Sequence, residues 1–267
     1  MLADKQIYLG SESSFYRILR EEKMLSHRGK SKPRRHKKPK ELVATGPNQV
    51  WSWDISYLNS HIAGMYSYLY MVIDVFSRKI VGWTVQAREN SKQAAALMKQ
   101  ACLDENIDLD QVTLHSDNGS PMKGATLLAT LQQLGVATSF SRPSVSNDNP
   151  FSEAMFKTLK YRPIFPSQGF ADIDEARVWV ENFTNWYNAE HLHSSLKFIT
   201  PQQRHTGLDK EILTNRKIVY QGAKLSNQAR WSGGIRNWDL PDEVILNPGK
   251  HRSATNKDLA RQLRCQS

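Results

Sequence analysis

Three acidic residues carry the chemistry this sequence can offer: Asp54, Asp117 and Glu153. Asp54 interrupts the apolar and aromatic run QVWSWDISYL (49–58), Asp117 follows directly on QVTLHS (111–116), and Glu153 lies near the start of NDNPFSEAMFKTLKYR (147–162), 36 positions after Asp117. Singly, each has a plain structural reading: an exposed strand position, the turn former of an Asp-Asn-Gly turn, and a complement to a helix N-terminus. Gathered at one point they do something else. Carboxylates a few ångströms apart raise one another's pKa, so such a cluster persists ionised mainly when a divalent cation neutralises it. Hard oxygen ligands without a Cys or His cluster select Mg2+ or Mn2+. Two such ions about 3.5–4 Å apart activate an attacking oxygen and stabilise the leaving oxygen of a phosphodiester. Lys157 and Lys160, four and seven residues beyond Glu153, fall on the same helical face, where they can hold a DNA backbone.

The elements that must position these acids follow from hydrophobic pattern. QVWSWDISYL (49–58), YSYLYMVIDVF (66–76) and KIVGWTVQA (79–87) predict three successive strands, the last two joined tightly at Ser77–Arg78 and therefore antiparallel. An Ala-rich helix over 91–106 with Ser91 as cap, a strand over 111–116, a helix over 125–135 ending at Gly135 and a strand over 136–140 come next. Helices over 147–162, with Asn149 as cap and Pro150 in its first turn, and over 172–191 complete a mixed sheet covered by helices. Strand ends side by side in such a sheet, with a helix packed against them, can bring remote carboxylates together.

Other polar residues have structural explanations. Asp74, a rival carboxylate, is expected to pair with Arg78 and Lys79. His115, two residues before Asp117 on one strand, either approaches the metal site or packs. Trp179, Phe183 and Trp186 form one stripe of a helix and read as core or dimer contacts rather than base-stacking platforms. SRPSVSNDNPFS (141–152) is rich in turn formers, so its order is expected to depend on metal or DNA.

Charge points to the partner. The 267 residues carry 36 Lys and Arg against 26 Asp and Glu, a formal net charge of +10. Eight of the basic residues fall in RGKSKPRRHKKPK (28–40), which has no acid and no large apolar residue. That stretch reads as an extended arm, with Arg34, Arg35, Lys37 and Lys38 as contacts to DNA phosphates and a solvated linker as the plain alternative. Ahead of it, SESSFYRILREEKML (11–25) predicts one short helix with Ser14 as cap, part of a helix-turn-helix or a simple packing helix. Neither a membrane span nor a cleavable leader is apparent, and Cys102 and Cys265 are too few for a disulfide framework, which suggests a reduced, cytoplasmic, nucleoid-associated protein. Beyond 205 the pattern suggests a helix over 211–223, then short strands or turns around Trp231 and Trp238.

At these residues the sequence resembles the transposases of bacterial insertion sequences that have a retroviral-integrase-type core. WSWDISYL, YLYMVIDVFSRKIVGW, LHSDNGSPM, SFSRPSVSNDNPFSEAMFKTLKYR and WYNAEHLHSSLKFITPQQ resemble successive family blocks over roughly residues 45–205. The resemblance implies an α/β, ribonuclease H-like mixed five-stranded sheet flanked by helices. It also implies a DDE triad on Asp54, Asp117 and Glu153, two Mg2+ or Mn2+ ions, and a basic residue seven beyond the glutamate, met by Lys160. Where many relatives have Arg-Pro, this chain has His191 and Leu192; Tyr187 and His193 match, as DNA contacts or as packing. The organisation expected is a partial helix-turn-helix and basic arm (1–44), an integrase-like core (45–205) and a C-terminal extension (206–267). The activity implied is cleavage at element ends and strand transfer of the 3′-hydroxyl into target DNA, by a homo-oligomer assembled on the terminal inverted repeats with an upstream-frame product as a further partner. A non-catalytic DNA-binding regulator is the alternative of another class, and a nuclease that cuts without joining is a third.

Overall fold

The computed structural model describes residues 8–25, 39–142 and 148–248. The chain divides into two compact units, 1–36 and 37–267. In the first, α1 (Glu12–Glu21) is capped by Ser11, whose Oγ accepts the Ser14 N–H at 3.3 Å. Ser14, the cap expected from sequence, is thus a helical residue, because a cap side chain reaches an N–H two or three residues ahead of itself. Arg34, Arg35, Lys37 and Lys38 lie outside the described residues.

In the second unit the order is β1 (Leu42–Ala44), β2 (Val50–Asn59), β3 (Tyr66–Asp74), β4 (Ile80–Gln86), α2 (Ser91–Asp104), β5 (Thr113–Ser116), α3 (Ala125–Gln133), β6 (Ala137–Phe140), α4 (Pro150–Lys160), α5 (Ile173–Ala189), α6 (Pro201–His205), α7 (Asp209–Ser226) and β7 (Val244–Leu246). Five strands form one sheet in the order β4-β3-β2-β5-β6. β2, β3 and β4 pair antiparallel, while β2–β5 and β5–β6 are parallel. This is the ribonuclease H-like arrangement that the resemblance implied. Among the described residues no helix is long and apolar enough to cross a membrane.

Period-2 alternation sends β2 side chains to opposite faces. Trp51 and Trp53 join Tyr70, Val72 and Leu114 under α2 and α3, packed by Leu97, Met98, Leu127 and Leu131. Leu58 lies on the other face with Leu69, Met71 and Ile73, under Met155, Phe156 and Leu159 of α4 and Val180, Phe183 and Tyr187 of α5. Both faces being covered explains why the central strands are so apolar. α3 stops because Gly135 adopts φ +65°, and a Cβ there would stand 2.7 Å from the Asp110 nitrogen.

Three local expectations are corrected. The cap of α2 is Asn90, which accepts the Lys92 N–H at 2.8 Å, one residue before the expected Ser91. The β3–β4 connection spans residues 75–79, with Arg78 at φ +68°, rather than a two-residue turn. Asp74 is structural, but its partners are the N–H groups of Asn48 (2.8 Å) and Ser77 (2.7 Å) and the Ser77 hydroxyl (2.7 Å), with Lys79 bound to Glu105 instead at 2.6 Å. A carboxylate at the end of a buried strand accepts free backbone N–H groups more readily than it holds a mobile lysine.

Asp74 and Glu105 belong to a polar knot under α6. His205 meets the Ser77 hydroxyl through Nδ1 at 2.9 Å and Glu105 through Nε2 at 2.8 Å. Burial disfavours the imidazolium, but the carboxylates of Asp74 and Glu105 outweigh it and raise its pKa above 6.5. Burial likewise opposes the charge on Glu105, yet hydrogen bonds from His205, Lys79 and Asn48 bring it down to about 2. A histidine whose folded pKa exceeds the unfolded value stabilises the fold below pH 6.5 and loses that contribution as pH rises through the folded pKa. Urea unfolding between pH 5.5 and 8.5 should therefore show stability falling as pH rises, and His205→Asn should make that fall shallower, leaving only the part that other titrating groups contribute.

Candidate active site

The last paired rung between β2 and β5 is Trp53 with Ser116. Asp54 is the next residue of β2 and Asp117 the first residue beyond β5, so the two aspartates stand at the point where neighbouring parallel strands part. Asp54 continues along β2 against β3, opposite Met71, and its Oδ1 accepts the Ile55 N–H at 2.8 Å. Asp117 is held by Ser141 at the end of β6, whose hydroxyl donates to its Oδ1 at 3.1 Å.

Glu153 arrives on α4 through a buried set of hydrogen bonds that the sequence did not announce. Ser52, two residues before Asp54 and on the same face, donates its hydroxyl to the Asn149 side-chain carbonyl and meets the Ser152 hydroxyl at 2.7 Å. Asn149 also donates its amide to the Trp53 carbonyl at 3.2 Å. Asn149 is the N-cap of α4, as expected, but it makes no side-chain cap bond because β2 uses both ends of its amide. All three residues are fully buried. The first turn of α4 is thereby fixed to the strand that bears Asp54, with Glu153 next to Ser152.

The electrostatics record this gathering. Burial first, then the charges of Asp117 and Glu153, raise Asp54 to about 7, against the lowering effects of the Ile55 N–H and Lys160. Glu153 is raised by burial and by Asp117. Lys160 is lowered by burial and partly restored by Asp54. Thus the expected basic residue sits within the field of the acids, and both it and Lys157, one turn earlier, are exposed. Among the described residues no three His, Cys, Asp or Glu side chains stand ready as a metal-binding group. The donor set nevertheless suits a hard divalent cation: three carboxylates, two with raised pKa values, with a neutral histidine behind them.

That histidine is His115, and it packs. It is fully buried, with Nε2 facing the Asp148 carbonyl at 2.8 Å and Nδ1 facing the Ser139 hydroxyl at 3.0 Å. Since a carbonyl only accepts, Nε2 carries the proton. Burial lowers its pKa, opposed by Asp148 and Asp117. Arg142 grips Asp148 in a fork, Nε and Nη2 each at 2.9 Å. Of the turn-rich stretch 141–152, residues 143–147 lie outside the described residues.

Tyr187, His191 and His193 form a ring cluster on α5 and beyond. His193 is pushed down to about 4 by burial, Arg78 and His191. Trp179 stacks on Phe183, and Arg162 lies 3.5 Å over Trp186, so this stripe packs within the protomer.

Residues 44–146 and 134–201 match two family profiles, each described as an integrase core domain. The transposase for insertion sequence element IS904 of Lactococcus lactis is 34% identical over 160 residues, 60% of this chain and 62% of that protein. Transposase InsF for insertion sequence IS3A of Escherichia coli is 29% identical over 164 residues, 61% of this chain and 56% of that protein. The chain therefore matches about three-fifths of the length of these relatives. Among solved structures, the catalytic core domain of HTLV-2 integrase in complex with magnesium covers 60% of this chain and 97% of its own, at 16% identity and a TM-score of 0.43.

An acid whose folded pKa is raised costs stability as pH climbs from its unfolded value to its folded one. In metal-free protein, Asp54→Asn should raise the unfolding free energy by about 2 kcal/mol at pH 8 and leave it nearly unchanged near pH 4. Denaturant titration at the two pH values measures this, and added Mg2+ should stabilise the native chain more than the variant.

Proposed function

We propose that this chain, whose residues 44–201 match integrase core domain profiles, is an insertion-sequence transposase that cuts DNA at the ends of its element and joins the freed 3′-hydroxyl to target DNA. The observation that carries this reading is the position of Asp54 and Asp117 on the first rung past the β2–β5 pairing, with Glu153 electrostatically coupled to both.

Asp54, Asp117 and Glu153 would hold Mg2+ or Mn2+, two ions in all, with Asp117 oriented by the Ser141 hydroxyl. Bound divalent ions supply a lowered pKa for the attacking hydroxyl and neutralise charge on the leaving oxygen. In the first step a water oxygen forms a bond to phosphorus and the bond to the 3′-oxygen of the element end breaks, that oxygen gaining a proton. In the second, the same 3′-oxygen attacks a target phosphodiester in line, losing its proton, and the target's own 3′-oxygen leaves. Phosphorus never bonds to the protein, whose part is to position the strands and offset their charge. Lys160, beside Asp54, offers a cation to the DNA backbone, and Lys157 extends that face.

The same reading assigns residues 1–44 with Arg34, Arg35, Lys37 and Lys38 to phosphate contacts, 45–205 to the catalytic core and 206–267 to an extension of it. The partners are terminal inverted repeats, target DNA, further copies of this chain and an upstream-frame product, all met on the DNA of a bacterial cytoplasm.

Asp117→Asn should reduce cleavage and strand transfer of labelled element ends in Mg2+ by about 10³-fold or more while DNA binding persists. Equal activity in that variant would remove the triad assignment, and cut but unjoined products from the native chain would leave a nuclease. Replacing Arg34, Arg35, Lys37 and Lys38 with Ala should weaken binding at low salt. It should also reduce the slope of log K against log salt by roughly 0.9 for each phosphate that a basic side chain no longer neutralises.

A further inference from the structure

The family matches end at residue 201, yet the chain returns to the candidate active site more than forty residues later. β7 pairs antiparallel with β1, Leu42 opposite Leu246, and so lies beside the strand that leads into β2. From there it touches the start of α4 in two ways. The buried Asn247 side chain donates Nδ2–H to the Asp148 carbonyl at 3.3 Å, the same oxygen that faces His115 Nε2. Leu246 is fully buried in a cluster with Ala44, Val50, Val75 and Phe76, against which Phe151 and Val244 pack. Phe151 is covered from another side by the Arg78 guanidinium, 4.0 Å from its ring centre. Asp148 and Phe151 stand five and two residues before Glu153. The hydrogen bond and the apolar contact therefore bracket the cap of α4, which Ser52 and Trp53 hold from β2.

We propose that β7 and Asn247 are a positioning element of the active site, holding the first turn of α4 and through it the Glu153 carboxylate opposite Asp54 and Asp117. The inference rests on reading those three acids as the reacting site. Two donors on one carbonyl use both of its lone pairs, and this fixes the backbone at Asp148 more firmly than either donor alone. Loss of one frees the helix start to shift, and small displacements of a ligating carboxylate weaken both metal binding and rate.

Asn247 has φ +58°, a conformation that glycine adopts without strain, so Asn247→Gly removes the amide while keeping the backbone path. Asn247→Asp keeps the side chain's shape and removes the donor. In the full-length chain without DNA, Mn2+ titration followed by electron paramagnetic resonance should show affinity falling about tenfold in both variants. Cleavage of an element-end duplex in Mn2+ should show kcat falling by a similar factor with KM for DNA unchanged. Thermal unfolding midpoints should stay near that of the native chain. Native Mn2+ affinity and kcat in both variants, with Asp54→Asn losing both, would overturn the positioning role and leave the active site standing. A lowered unfolding midpoint with native Mn2+ affinity would reduce Asn247 to a structural residue. If Asp54→Asn binds Mn2+ and cleaves as the native chain does, the reading of the site falls first, and this inference with it.

Discussion

Three carboxylates that repel one another must be held together by something stronger than their repulsion, and buried hydrogen bonds supply it. Asp54 rises to about 7 chiefly because it is taken out of water, then because Asp117 and Glu153 face it. Left to side-chain and backbone freedom, such groups would turn away toward solvent. Ser52, Asn149 and Ser152 prevent this on the α4 side, and Ser141 does so on the β5–β6 side. Ser52, Asn149 and Ser152 are buried with one another, so breaking one of their bonds leaves an unsatisfied group as well as a displaced acid. The site is thus held firmly where it meets the sheet.

The sheet's two faces divide the labour. On one, Trp51, Trp53 and Tyr70 lock α2 and α3 against the strands, a large apolar contact that anchors β2 and β5 side by side. On the other, α4 and α5 cover Leu58, Leu69 and Met71, and here the polar residues of β2 come to the surface of the core. Asp54 belongs to this second face by parity with Ser52 and Leu58. A shift of one residue in β2 would bury Asp54 under α2 and turn the tryptophans toward α4, so the alternation of β2 fixes which helix can carry the third carboxylate.

Segments beyond the family match are tied into the same body. β7 pairs with β1, Arg204 binds Asp209 and the Pro241 carbonyl, and His205 closes the polar knot of Asp74, Ser77 and Glu105. The end of β3, the end of α2 and the end of α6 are thereby joined by charge-assisted bonds, which are stronger than neutral ones.

The order of strands and helices and the α4 start at Asn149-Pro150 were legible, and the three acids stood out as candidates, because each rests on a local rule: alternation, capping preference, proline at a first helical turn, an acid breaking an apolar run. Family blocks added what spacing alone left open. Caps at Ser11 and Asn90 were missed by a few residues, since several good cap residues stood in a row and only backbone geometry selects among them. The partners of Asp74 and the roles of Ser52, Ser141 and Asn247 were not legible at all. Apart from the local bonds of Ser77 to Asp74, they depend on contacts between residues about 20 to 100 positions apart. Sequence by itself determined which residues could do the chemistry, because side-chain type and periodicity are written in the chain. Tertiary structure alone decided that β2 and β5 part just before Asp54 and Asp117, and that α4 is clamped at that gap. Register and long-range hydrogen bonds exist only once distant segments have met.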